Sequence, residues 1–332
     1  MRPFRYAYAA DRPAALKAAN DAGGSAHYLA GGTTLIDLMK LDVMRPRTVV
    51  DINALAREHS EIRVTPDALH LGALARMADV ADDPAVRHAY PMIAESLDLA
   101  ASPQIRNMAS LGGNVLQRTR CPYFRDTGWA HCNKREPGSG CAARQSVNRK
   151  LAILGVSDHC IANYPGDFAV ALAALRASVD LEGPQGRRVI PFEALHRLPG
   201  ETPHIETTLK PGELITGFSV PAAPWLRRSL YLKVRDRASY EFAIASAAVA
   251  LDLDGRVVRQ ARIGLGGVAA KPWPAPEAEA ALVGQPLTPA VALAAAEAAF
   301  AQAVAPGGLA FKPELGRRTL VRAILAAGVM EV

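Results

Sequence analysis

Aromatic residues are scarce in this sequence, at 6% against 50% hydrophobic residues overall, so aliphatic side chains must fill its cores. No apolar run approaches the ~18 residues of a membrane helix, and no membrane span is expected. The N-terminal stretch MRPFRYAYAADRPAALKAA has no apolar h-region and no cleavage site, so it reads as a mature start and as a chain folded in the cytoplasm. No C-x-x-C occurs, which removes the common zinc ribbons and fingers. Neither G-x-G-x-x-G nor a P-loop G-K-[ST] is present, and there is no internal repeat.

What is there is ordinary for a folded globular chain: 332 residues, 21% of them charged, enough for two domains with real cores. The net charge of +6 and a pI near 9.2 raise the question of nucleic acid. Basic residues gather at Arg118, Arg120, Arg125, Lys134, Arg135, Arg144, Arg149 and Lys150, but that stretch has few aromatics and matches no nucleic-acid module. No nucleic-acid partner is expected; a basic surface facing an anionic cofactor or an acidic partner accounts for the charge.

Asp11-Arg-Pro-Ala opens a helix through Ala14–Ala22 that stops at Gly23-Gly24. Strand Tyr28–Ala30, the turn Gly31-Gly32-Thr33-Thr34, helix Leu35–Lys40 and strand Thr48–Ile52 complete an αβαβ unit. Leu69–Leu74 reads as a strand, Met77–His88 and Met92–Ala101 as helices, followed by a second Gly-rich turn, Ser110-Leu-Gly-Gly-Asn114. From Gln117 to about Lys150 the apolar pattern collapses, so this segment needs a crosslink or a metal to become ordered. Order returns with Leu151–Val156 and helix Asp167–Leu175, then strands Val179–Leu181, Val189–Pro191 and Leu214–Val220. Pro221-Ala-Ala-Pro224 marks a boundary. Beyond it Ala247–Leu253 and Val257–Ile263 flank the hairpin signal Asp254-Gly255, and helices follow at Ala275–Leu282, Pro289–Val304 and Arg317–Ala327.

Each Gly-Gly turn opens a helix and could let a phosphate approach free backbone N–H groups; two of them suggest a dinucleotide, with a pair of unrelated tight turns as the alternative. The four cysteines, Cys121, Cys132, Cys141 and Cys160, are separated by ten, eight and eighteen residues. Three lie in the segment least able to fold unaided. A metal centre, two disulfides or four free thiols all remain open on spacing alone. His131 and His159, each beside a cysteine, read as neighbours of such a centre or as solvent-facing, and nearby Arg and Lys would offset its negative charge.

Three passages in order, YLAGGTTLIDLMK at 28–40, SPQIRNMASLGGNV at 102–115 and YPGDFAVALAAL at 164–175, resemble the FAD-binding medium subunit of the xanthine dehydrogenase and carbon monoxide dehydrogenase family of molybdenum hydroxylases. The likeness continues through PGELITGFSVP at 211–221 and YLKVRDRASYEFAIASAAVAL at 231–251. The insert RTRCPYFRDTGWAHCNKREPGSGC at 118–141 resembles that of the 4Fe–4S-carrying FAD subunit of bacterial periplasmic aldehyde oxidoreductases and, more loosely, of 4-hydroxybenzoyl-CoA reductase.

The resemblance implies an α+β fold: a two-part FAD-binding domain of the vanillyl-alcohol-oxidase-like type over residues 1–222, with the Cys-rich insert at about 117–160, and a C-terminal α+β domain with an antiparallel sheet over 223–332. It implies FAD held by Tyr28, Leu29, Ala30, Gly31, Gly32, Thr33, Thr34 and Leu35 at the diphosphate. Ala100, Ala101, Ser110, Gly113, Asn114 and Leu116 would lie on the second side. Asp167 would bind at the adenosine end, a helix N-cap being its bland reading and compatible with that role, and Ile215 and Lys233 would lie near the isoalloxazine. A bland reading of Lys233 is a solvated surface lysine. Cys121, Cys132, Cys141 and Cys160 would ligate a 4Fe–4S cluster. Thr34 stands where the family usually has an acid and Gly166 where it usually has Ser, which predicts weaker hydrogen bonding there.

No molybdopterin site is evident and no catalytic residue is expected in this chain. The implied partners are a large molybdenum subunit, a small subunit with two 2Fe–2S clusters, and an external electron acceptor. Aldehydes oxidised to carboxylic acids are the implied substrates. The alternatives are a reductase taking electrons in through 4Fe–4S, a self-sufficient flavin oxidase, and a non-enzymatic metal-stapled module. Assembly in the cytoplasm is expected, with co-export to the periplasm on a twin-arginine-bearing partner also compatible.

Overall fold

The computed structural model describes all of residues 1–332. Twelve strands form three sheets. β1 (Arg5–Tyr8), β2 (Ala26–Leu29) and β3 (Thr48–Asp51) make a parallel sheet in the order β1-β3-β2, with Arg5 and Ala26 both opposite Thr48. The unit is thus βαβαβ: β1 was not foreseen because Arg5–Tyr8 is polar and mostly exposed, and its pairing comes from tertiary contact. Asp11 caps the first helix, Arg12–Asp21, by accepting from Ala14 N–H at 2.8 Å.

The second sheet is antiparallel and runs β4 (Ile62–Val64), β5 (Ala68–Gly72), β8 (Leu214–Pro221), β6 (Ser178–Gly183), β7 (Gly186–Pro191). Its apolar face is covered by helices between residues 77 and 115. The expected helix Met77–His88 is broken into Met77–Asp82 and Pro84–Ala89, and the next begins at Pro91 and ends at Asp98. Pro84 and Pro91 lack an N–H and push the preceding residue out of the helical region, so each sits at a helix start. Asp83 caps the second piece, accepting from Ala85 and Val86 N–H at 2.8 and 3.0 Å.

The third sheet, β12 (Trp273–Pro274), β11 (Val257–Gly266), β10 (Ala245–Asp254), β9 (Ser229–Val234), is antiparallel and turns at Gly255 with φ 58°. Helices Pro276–Leu282, Pro289–Ala299 and Lys312–Gly328 pack on one face. Helix Asp167–Ala174 packs against β10, β11 and β12, and every one of its residues is buried. Gly264 permits its approach, since a Cβ there would stand 2.8 Å from Val170 O. Leu151–Val156 forms no named strand; it pairs with Ala269 through an isolated bridge at Leu154, and Ile153 and Leu154 N–H both donate to Val268 O.

The cysteine-rich insert contains only the short helix Pro122–Arg125 and one 3-10 turn, Ala142–Arg144. Its apolar side chains, including Tyr123, Phe124, Cys121, Cys132 and Cys160, join the core beneath the third sheet, which also takes in Leu38 of the helix Leu35–Lys40. The insert therefore bridges the N-terminal unit and the C-terminal core.

Candidate functional site

The two glycine turns meet. A Cβ on Gly31 would stand 1.8 Å from Met108 O, and one on Gly112 3.2 Å from Ala73. Gly32 adopts φ 73°, which favours glycine. Arg76 donates to Met108 O at 2.6 Å and to Asn53 Oδ1 at 3.3 Å, while Asn53 Nδ2 donates to Ala30 O at 3.1 Å. The second turn is a short helix, Leu111–Val115, with Ser110 Oγ accepting from Gly113 N–H at 3.3 Å.

Between these turns lies a cavity of about 840 Å³, the size of a large dinucleotide site. Its far wall is most of the segment His204–Ile215. Tyr28 crosses from one wall to the other, donating from its hydroxyl to Gly212 O at 2.8 Å, and burial pushes its pKa up to about 12. Tyr28, Ala30, each residue from Gly31 to Leu35, and Ser110, Gly113, Leu116 and Ile215 line the cavity.

Leu29, Ala100, Ala101, Asn114, Asp167 and Lys233 lie outside that lining. Ala101 turns the chain at φ 50°. Asn114 donates to Met77 Sδ at 3.2 Å, and its buried Oδ1 has no partner in the chain. The N-cap of the helix that follows Tyr164 is Gly166, not Asp167, which is the first helical residue. The Asp167 carboxylate instead accepts from Tyr231 Oη and Lys233 Nζ, both at 2.8 Å. Lys233 is no solvated lysine: its side chain is 1% exposed and also donates to Leu99 O.

Several residues that sequence reasoning missed hold the cavity's shape. Tyr164 Oη and His196 Nε2 both donate to Val115 O, at 2.9 Å each. Gly166 lies against that tyrosine, and a Cβ there would stand 2.6 Å from Tyr164 Oη. A serine at 166 would displace the ring that pins Val115, which gives the departure at this position a structural reason. Arg118, Lys134, Arg197 and Lys210 bring cations to the lining, against Glu206 and Glu213. Glu213 is taken by Arg188 at 2.7 and 2.8 Å. His27 also lines the cavity, and its buried Nδ1 finds no partner in the chain. A wall of cations, helix-start N–H groups and an unpaired imidazole fits a diphosphate-bearing ligand.

All four cysteines line one small pocket, with Tyr123, Phe124 and Lys134 beside them. None is in a disulfide; Cys121, Cys132 and Cys160 are buried and Cys141 half-buried. Cys132 and Cys141 face each other across an isolated antiparallel bridge. Burial pushes the Cys121 thiol up to about 12 and the Cys160 thiol up to about 11, although Ala162 N–H donates to Cys160 Sγ at 3.4 Å. Thiols so placed ionise only when an electrophile takes up the thiolate. No three His, Cys, Asp or Glu side chains converge to hold a single metal ion. Lys134 is common to both cavities: it lines the cysteine pocket and the larger one.

Residues 2–223 match the FAD binding domain in molybdopterin dehydrogenase, and residues 230–332 match the CO dehydrogenase flavoprotein C-terminal domain. The aldehyde oxidoreductase FAD-binding subunit PaoB of Escherichia coli is 44% identical over 303 residues, 91% of each chain. The carbon monoxide dehydrogenase medium chain of Hydrogenophaga pseudoflava is 28% identical over 304 residues, 91% of this chain and 88% of that one. A solved carbon monoxide dehydrogenase from Hydrogenophaga pseudoflava superposes with a TM-score of 0.76 at 28% identity, covering 98% of both chains. This chain belongs to the FAD-binding medium subunits of the molybdenum hydroxylase family.

Proposed function

We propose that this chain is the FAD- and 4Fe–4S-binding electron-transfer subunit of a heterotrimeric aldehyde oxidoreductase. In this reading a large molybdenum subunit oxidises aldehydes to carboxylic acids. A small subunit with two 2Fe–2S clusters delivers the electrons to this chain, and an external acceptor removes them. FAD, when bound, links one-electron carriers to a two-electron acceptor.

The observation that carries the reading is the pairing of a flavin-sized cavity with a four-cysteine pocket, Lys134 lining both. The chain's own residues have defined tasks. Gly31–Thr34 would present N–H and hydroxyl donors to the diphosphate, Ser110 and Gly113 would form the second side of its site with their N–H groups largely spent within the chain, and Arg118, Lys134 and Lys210 would balance its charge. Cys121, Cys132, Cys141 and Cys160 would hold the cluster, whose several metal atoms set their thiolates further apart than one ion would. Tyr123 and Phe124 shield it from water. Export of the assembled complex on a partner's signal is part of the same proposal.

A visible spectrum with iron and sulfide analysis of the purified complex tests it. Flavin absorption near 450 nm and about four irons per chain beyond those of the small subunit are expected. Absence of flavin, or zinc in place of iron, overturns the assignment. Reduction by ferredoxin with none by aldehydes reverses the direction of flow.

A further inference from the structure

The insert grips the cavity from both sides. One wall begins at Gly31–Thr34 and continues as the helix Leu35–Lys40. Asp37, in the first turn of that helix, accepts from Arg125 through both carboxylate oxygens, at 2.8 and 3.0 Å, and from Arg120 at 3.2 Å. The opposite wall is the segment His204–Ile215. There Glu206 accepts from Arg118 Nε at 2.6 Å and pairs with Lys134 at 3.3 Å, while Lys134 also donates to Pro203 O at 3.0 Å. The Arg118 guanidinium lies 4.5 Å over the ring of Phe124, which lines the cysteine pocket.

These four cations flank the cysteines in the chain: Arg118 and Arg120 precede Cys121, Arg125 follows it, and Lys134 follows Cys132. The insert has almost no regular structure of its own, so whatever fills the cysteine pocket decides how firmly the cations are placed. We propose that the insert is a buckle across the flavin cavity: Asp37 and Glu206 are its two catches, and filling the cysteine pocket tightens the hold on FAD. This rests on the reading above, in which the pocket takes a 4Fe–4S cluster and the cavity takes FAD.

Asp37 is a positioning residue that acts on the flavin through the wall it stands on, and Glu206, which lines the cavity, positions Arg118 and Lys134 there. Linkage makes the effect reciprocal: FAD must stabilise the cluster by the same factor. Two ion pairs closing both walls of one site place the coupling near ~10-fold, within the usual range for linked sites.

The test is a double cycle on the full chain within its complex, reading FAD affinity from the fluorescence of released flavin. The cluster is removed by Cys160→Ser, and the catches by Asp37→Asn with Glu206→Gln. Loss of the cluster should weaken FAD binding about tenfold with the catches present and less than about threefold without them. A merely structural role for Asp37 and Glu206 gives the same loss in both backgrounds and overturns the proposal, as does no loss in either. A second measurement needs no variant: the 4Fe–4S electron paramagnetic resonance signal should decay to a chelator about tenfold more slowly in FAD-loaded than in FAD-stripped complex. Equal decay overturns the coupling. Iron and sulfide content separates the two claims. Four irons with an unlinked flavin defeat the buckle alone, whereas no iron in the unaltered chain defeats the cluster reading and the buckle with it.

Discussion

Tyr164 and His196 meet edge to face, ring centroids 4.8 Å apart, and both donate to the carbonyl oxygen of Val115. A carbonyl only accepts, so His196 carries its proton on Nε2. Burial holds the ring neutral by pushing its pKa down to about 4. The unfolded ring titrates near ~6.5, so as pH falls from there the unfolded chain binds a proton that the folded chain refuses. This contribution to stability is complete above that value and lost towards pH 4, amounting to roughly 3 kcal/mol. Denaturation at stepped pH should show the decline, and His196→Gln should flatten it. An unchanged slope in the variant would exclude His196 as its source.

Gly31 and Gly24 should respond differently to alanine. At Gly31 the new carbon would meet Met108 O and C, which are backbone atoms and cannot swing away. At Gly24 nothing lies within 4 Å, and only the φ of 80° resists. Gly24→Ala should cost about 1 kcal/mol and retain FAD, whereas Gly31→Ala should separate the two turns and lose it. Flavin content and melting of the two variants side by side decide the matter.

The buried Lys233–Asp167 pair predicts that removing one partner is worse than removing both. Lys233→Met leaves a carboxylate with only Tyr231 beside it, at a cost of about 3–5 kcal/mol. Asp167→Asn combined with Lys233→Met should recover a large part of that loss. Urea unfolding of the two variants measures the difference; equal losses would mean the pair is not coupled.

Lys312 is fully buried, donating to Leu151 O at 2.6 Å and Gly267 O at 2.8 Å. Burial pushes its pKa down to about 7, and a neutral amine has the two N–H groups those carbonyls require. Its folded value lies below its unfolded one, so its contribution to stability is largest at alkaline pH and declines as pH falls to about 7. Stability should therefore rise from neutral pH to pH 9. Lys312→Met should remove that rise, which unfolding curves at the two pH values will show.

The glycine turns and the cysteine set were legible because each is a local pattern with its own chemistry. Four of the five strands of the second sheet and the Asp254-Gly255 hairpin were legible through alternation and turn residues, while the three-residue edge strand Ile62–Val64 was too short to register. Tyr164 and His196 were not, because they act on Val115 from 49 and 81 residues away, and nothing local marks an aromatic as a carbonyl's partner. Asp37 and Glu206 were hidden in the same way, since Arg120 and Arg125 lie 83 and 88 residues from Asp37, and Arg118 lies 88 residues from Glu206. The breaks at Pro84 and Pro91 were written in the sequence, and helical periodicity alone overrode them. The resemblance set Lys233 near the isoalloxazine, and its pairing with Asp167, which the chain supplies 66 residues earlier, was not legible in either residue's local sequence.

The doubly engaged carbonyl of Val115 also sets what the cavity can read. With both lone pairs taken by Tyr164 and His196, that oxygen has nothing left to offer a guest. The Met108 and Ala30 carbonyls beside the glycines each accept one hydrogen bond, from Arg76 and Asn53, and keep one lone pair apiece. At Val115 the wall therefore offers a visitor no acceptor, while the N–H groups at the start of the helix after Gly31-Gly32 stay unspent within the chain. At this end of the cavity that asymmetry favours phosphate oxygens over ligands whose contacts are mainly N–H.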